Sequence, residues 1–84
     1  MVTNEDIVKF VEENSWFITE DASEPSFSSN RYGDHYNGEY GEKDYDEAIR
    51  VCKMIKKEFG NIECNIDTFD EWVYVYISIT ERED

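Results

Sequence analysis

Between positions 71 and 80 the chain alternates without a break, with Val73, Val75, Ile77 and Ile79 on one side and Trp72, Tyr74 and Tyr76 on the other. Period-two alternation of β-branched and aromatic residues predicts a strand with at least one buried face. The four aliphatic side chains each contribute roughly 1.5–3 kcal/mol on burial. A second alternating run, 61–68, sets Ile62, Cys64 and Ile66 inward and Glu63, Asn65 and Asp67 outward. A tight Phe69-Asp70 turn would oppose Thr68 to Glu71 and so pair Ile66 with Val73, Cys64 with Val75 and Ile62 with Ile77. On the other side Asp67 would meet Trp72, Asn65 would meet Tyr74 and Glu63 would meet Tyr76. Both faces then agree, which is the condition for a well-specified hairpin.

Elsewhere the period changes to that of a helix. From a cap at Thr3 or Asn4 to about position 14, Ile7, Phe10, Val11 and Asn14 share one side, while Glu5, Lys9, Glu12 and Glu13 point out. Glu5 and Asp6 in the first turn suit the helix dipole. A second helix has Ala48, Val51, Cys52, Ile55 and Phe59 in one stripe, with Ile49 on its flank. Asp44 and Glu47 resemble a capping box at its start, and Gly60 supplies a stop. Its opposite side carries Arg50, Lys53, Lys56 and Lys57.

The intervening residues are less regular. Positions 16–19 read as a short strand, and 21–42 form a Tyr-, Gly- and acid-rich loop without a clear period. Pro25 argues against a central strand there, although 26–32 could pair as an edge strand. Asn37-Gly38 is a type I′ turn signal that would fold 34–36 back on 39–40. The predicted fold is a single α+β domain, a small two-layer sandwich in the order α-β-(loop or edge β)-α-β-β. Its C-terminal strands form an antiparallel hairpin, and both helices lie on the aliphatic side of the sheet.

Charge alters the functional picture more than the fold. The 84 residues carry 21 acids against 8 bases, a net charge of −13. From position 43 to 60 five bases meet four acids, so that segment is +1 and the remainder −14. Such a balance argues against direct nucleic-acid binding, which needs Lys and Arg on phosphates, and against anionic membrane surfaces. The N-terminal residues Met1 to Asp6 are acidic and no apolar run approaches a membrane span, so the expectation is a cytoplasmic protein, or one in the host cytoplasm if phage-encoded. Cys52 and Cys64 are too few for a secreted disulfide scaffold and are expected in the core as small apolar residues; facing elements could bring them together as a disulfide, but a reducing cytosol favours free thiols.

Catalytic and metal chemistry find little support. His35, the only histidine, is adjacent to Asp34, but neighbouring residues on a strand face opposite ways. Asp34, Asn37 and Glu39 miss the calcium-loop pattern because Tyr36 and Gly38 occupy ligand positions. The cysteines lack zinc spacing. Pairs such as Glu20 with Asp21 or Asp44 with Asp46 arise by chance among so many acids. The expectation is a protein with no enzymatic activity, no metal and no cofactor.

The outward aromatic stripe offers more. The simplest expectation is that the 21–42 loop, with Phe27, Tyr32, Tyr36 and Tyr40, folds across Trp72, Tyr74 and Tyr76 and covers them, because monomers rarely leave such a patch open. The functional alternative is a protein-binding face, since Tyr and Trp are favoured interface anchors. RNA-stacking sheets also use aromatics, but in basic surroundings. The predicted partner-binding set is Trp72, Tyr74, Tyr76, Glu63, Asp67, Asp70, Glu71, Tyr36 and Tyr40. In size and composition alone the chain resembles phage-encoded acidic inhibitors of nucleases and defence systems. That resemblance implies a nucleic-acid mimic that binds the basic surface of a protein partner. The alternative is an adaptor or homodimer using the aromatic face.

Overall fold

The computed structural model describes residues 2–79; Met1 and Thr80, the last position of the alternating run, lie outside them. The elements run α1 (Asn4–Asn14), β1 (Ile18–Asp21), β2 (Ser26–Ser29), α2 (Glu42–Phe59), β3 (Ile62–Phe69) and β4 (Trp72–Ile79). The strands form one antiparallel sheet in the order β1-β2-β4-β3. The helices pack on one side of it, giving the expected α+β arrangement.

The core is the aliphatic side of the sheet against the apolar stripes of the helices. Ile7 and Val11 of α1, Ala48, Val51 and Ile55 of α2, and Phe27, Val73 and Val75 of the sheet are all fully buried. Asn14, expected on the inner side of α1, is exposed and donates to the Phe10 carbonyl at 2.8 Å. α1 begins with a complete capping box, in which Thr3 Oγ1 accepts from the Asp6 N–H and Asp6 Oδ2 from the Thr3 N–H. These bonds, the main-chain one foremost, hold the Asp6 carboxyl below its ordinary range.

α2 starts differently from the expectation. Gly41 is its N-cap, without a side-chain hydrogen bond. A Cβ on Gly41 would collide with the Tyr32 main chain, so glycine is needed for the close approach. Asp44 and Glu47 do not form a capping box; they turn inward. Asp44 is completely buried and accepts from Ser29 Oγ at 2.7 Å, Trp16 Nε1 at 3.2 Å and the Tyr32 N–H at 2.9 Å. One carboxylate therefore joins the start of α2 to the end of β2, the segment before β1 and the following loop. Glu47 accepts from Ser15 Oγ at 2.7 Å and from Arg50 Nε and Nη2 at 2.7 Å each. Burial opposes its ionisation, but the hydrogen bonds from Arg50 and Ser15 and the Arg50 charge outweigh that and hold its pKa below the usual value. Arg50 Nη2 also donates to the Asn14 carbonyl at 2.7 Å, placing a cation at the C-terminus of α1.

Four further expectations are corrected. β1 lies two residues later than 16–19, because Trp16 and Phe17 turn into the Asp44 cluster and the core. The 26–29 segment is an interior strand between β1 and β4, with Pro25 just outside it, where its carbonyl accepts from the Ile77 N–H at 2.9 Å. The β3–β4 turn is Asp70-Glu71, so Phe69 opposes Trp72, Ile66 opposes Val75 and Cys64 opposes Ile77. The register is thus offset by two from the Phe69-Asp70 turn, and an even offset leaves every side chain on its expected face. Asp70 adopts φ 51° in this turn, a conformation Asp tolerates better than most residues. Cys52 and Cys64 are not free thiols: a disulfide joins α2 to β3, with Cα atoms 5.7 Å apart.

Candidate partner-binding face

Among the described residues, no layer covers the side of the sheet away from the helices. β4 presents Trp72, Tyr74 and Tyr76 along its length, because alternate residues share a face. The rings stand as parallel rungs: Trp72 and Tyr74 centroids are 6.3 Å apart at 25°, and Tyr74 and Tyr76 6.1 Å apart at 19°. On one flank they stand opposite the small residues Ser28 and Ser26 of β2, with Ile18 beyond Ser28 on β1. On the other flank Phe69, Asp67 and Asn65 of β3 oppose Trp72, Tyr74 and Tyr76. Phe69 is 66% exposed, Ile18 60% and Tyr76 43%.

The 21–42 segment does not fold over this face. Phe27 enters the core from β2, and Tyr32 stacks edge-on with Trp16 at 5.7 Å. Tyr40 packs on Tyr45 of α2 at 5.6 Å, while Tyr36 is 96% exposed at a loop tip. Neither Tyr36 nor Tyr40 joins the aromatic column. Their loop closes through an Asp34–Glu39 bridge with Gly38 at φ 66°. Asp34 accepts from the Asn37 side chain and from the Tyr36 and Asn37 N–H groups, and the Asn37 side chain is the main reason its pKa is lowered. The loop rests against the β3–β4 turn. A Cβ on Gly33 would lie 2.5 Å from the Glu71 carbonyl oxygen, and His35 Nδ1 is 3.7 Å from Glu71 Oε2. Glu71 and Asp70 therefore sit at the end of the aromatic column, and Glu63 and Asp67 run beside it.

The electrostatics of the two sides differ. Among the described residues no strand contains Lys, Arg or His, whereas Glu20, Glu63 and Asp67 project from the same side of the sheet as the rings. The Tyr74 hydroxyl registers this field: burial raises its pKa first, followed by Tyr76 and the carboxylates of Glu20, Glu71 and Asp70. The exposed Lys53, Lys56 and Lys57 project from α2, across the core from this face. Arg31 and Lys43 are held over rings elsewhere, Arg31 5.5 Å from the Trp16 centroid and Lys43 5.0 Å from that of Tyr32.

Chemically, this surface offers flat apolar contact area, hydroxyls and carboxylates, which together suit cationic side chains lying on or beside aromatic rings. Among the described residues no group of three or more His, Cys, Asp or Glu side chains is placed to hold a metal, and no helix is long and apolar enough to cross a membrane. Sequence reasoning grouped Trp72, Tyr74, Tyr76, Glu63 and Asp67 correctly by parity but omitted Phe69, Ile18 and Glu20. Phe69 was hidden because it was assigned to the turn, although its odd position, like Asp67, already placed it with the outward row. Comparison with family models, with curated proteins and with solved structures finds no match for this chain, so a functional reading rests on the chemistry of this face.

Proposed function

We propose that the protein is a non-enzymatic binding protein whose outer sheet face occupies a basic, nucleic-acid-binding surface of another protein and so blocks it. The observation that carries this reading is the open Trp72–Tyr74–Tyr76 column on a sheet whose strands, among the described residues, bear acids and no bases. Surfaces that grip single strands combine cations for the backbone with groups that stack on bases. A column of aromatic rings flanked by carboxylates addresses both halves of such a surface. The rings anchor through buried area and the acids set partner choice and association rate. A second copy of the chain fits less well, since two outer faces in contact would bring Glu20, Glu63 and Asp67 of each against the other's acids at a net charge of −13 per chain.

The test is capture from a bacterial lysate on immobilised protein, eluted with rising salt, beside two variants, Tyr74→Ala and Glu63→Lys/Asp67→Lys. The expected partner is released by moderate salt, is lost from both variants, and loses its own nucleic-acid binding when the wild-type protein is added. A partner retained equally by both variants, or one that binds nucleic acid undisturbed in the presence of the protein, would overturn the proposal.

A further inference from the structure

β3 is an edge of the sheet and is eight residues long, against four for the other edge, β1, which also carries an irregularity between Thr19 and Asp21. In a hairpin with a two-residue turn, the pair flanking the turn exchanges both main-chain hydrogen bonds, and bonded and non-bonded pairs alternate from there. The flanking pair here is Phe69 and Trp72. Asp67, Asn65 and Glu63 therefore bond to β4, whereas Thr68, Ile66, Cys64 and Ile62 turn their N–H and C=O groups to the free edge. The Ile77 N–H, opposite Cys64, bonds to Pro25 on the β2 side at 2.9 Å, as this alternation requires.

The two ends of that edge are closed locally. The Ile62 N–H donates to the Gly60 carbonyl at 2.6 Å, and the Thr68 N–H to Asp67 Oδ1 at 2.8 Å. Between them, no loop or side-chain group bonds to the edge-facing main chain of Cys64 and Ile66 among the described residues. On the outer side this strip is bordered by the exposed Glu63, Asn65 and Asp67, and on the inner side by the half-buried Cys64 and Ile66.

We infer that the β3 edge takes an extended basic segment of a protein partner as a fifth strand, with Lys or Arg beside Glu63 and Asp67 and apolar residues beside Cys64 and Ile66. Main-chain hydrogen bonds supply affinity in this mode and alternate side chains supply specificity. Charge complementarity selects the occupant. In a two-fold antiparallel pairing of β3 with β3 of a second copy, the register that opposes Cys64 to Ile66 also opposes Glu63 to Asp67, which is unfavourable. The same acids that deter self-pairing would attract a basic strand. The inference deepens the proposed function and rests on it for the sign of the partner's charge; the edge, however, is a different surface from the aromatic column.

The experiment uses a short acetylated peptide of alternating Lys and Val, and the same peptide N-methylated along its bonding edge, so that charge is kept and strand pairing is lost. The full chain is titrated with each while amide resonances and hydrogen exchange are followed. The expected result is about tenfold or more tighter binding of the unmethylated peptide, protection of the Cys64 and Ile66 amides, and about tenfold weaker binding to the folded Glu63→Lys/Asp67→Lys variant. Equal binding of both peptides, no binding of either, or shifts confined to Trp72, Tyr74 and Tyr76 would each overturn the edge proposal. The last of these would leave the outer-face reading intact. Protection at Cys64 and Ile66 together with partner capture indifferent to Tyr74→Ala would support the edge and remove the aromatic column from the reading.

Discussion

The two sides of this sheet solve the same problem in opposite ways. On the inner side, Phe27, Val73, Val75 and Ile77 are covered by helices whose placement is fixed by two inward carboxylates, Asp44 and Glu47. On the outer side, β4 carries residues just as large, yet among the described residues Trp72, Tyr74 and Tyr76 are sheltered by one another and by their neighbours on the strands, with no helix over them. The inner acids are saturated with donors, whereas Glu63 stands exposed on the outer side and Asp67, also exposed, keeps one oxygen beyond its bond to the Thr68 N–H. The same residue type therefore has two different uses. A carboxylate with three donors, away from water, organises the fold, while a hydrated one beside a ring remains available to a cationic partner.

The largest effect expected from breaking this contrast is at Asp44. Asp44→Ala would leave Trp16 Nε1, Ser29 Oγ and the Tyr32 N–H without their shared acceptor. Each buried group so stranded costs about 1–3 kcal/mol, part of it recovered if water enters. We expect a loss of about 3–4 kcal/mol in urea unfolding, together with a changed Trp16 emission. Glu63→Ala on the outer side should leave stability within about 0.5 kcal/mol of wild type. Similar losses for the two variants would erase the distinction between organising and available acids.

How far this division could be read from the sequence depends on the element. Parity alone separates the faces of β3 and β4, so an error of two in register did no harm to the outward set. The helices followed from their apolar stripes. β2 was obscured because Ser26-Phe27-Ser28-Ser29 has a single large apolar residue and resembles loop chemistry; only the neighbouring strands reveal that Phe27 fills the core while Ser28 and Ser26 make room for Tyr74 and Tyr76. Asp44 was misread for a related reason. An acid near the start of a helix satisfies a local capping rule, and nothing local indicates that Trp16, Ser29 and Tyr32 converge on it from 12 to 28 residues away. The Cys52–Cys64 bond likewise depends on how α2 lies across β3, which no spacing encodes.

A smaller effect, with a pH signature, is expected at Glu47. Its folded pKa lies below the ordinary value, so its contribution is fully present above the unfolded-state pKa of about 4.3 and is lost as pH falls through the folded value. Glu47→Gln should therefore be less stable than wild type by about 1–2 kcal/mol at pH 7, and the gap should close as both proteins are acidified toward pH 3. The lowered carboxyls of Asp6, Asp21 and Asp34 are common to both proteins and cancel in the difference. Thermal unfolding across a pH series would measure this, and a gap constant from pH 7 to 3 would show that the charge of Glu47 contributes nothing to the joint between α1 and α2.

The smallest effect should have the opposite sign. Ser28 is 1% exposed, and among the described residues its hydroxyl is a buried polar side-chain atom with no hydrogen-bond partner. It lies between Ile18 and Tyr74 on the outer side, where small size matters and polarity is not used. Ser28→Ala keeps the room beside the Tyr74 ring and removes the unsatisfied group, so stability should rise by up to about 1 kcal/mol. Ser28→Val is the sharper probe, because the added methyls would push against Tyr74 and disturb the spacing of the column. If the aromatic rungs are the binding element, Ser28→Val should weaken partner capture while Ser28→Ala leaves it unchanged. A stabilised Ser28→Ala protein that no longer captures its partner would instead assign the hydroxyl itself to recognition.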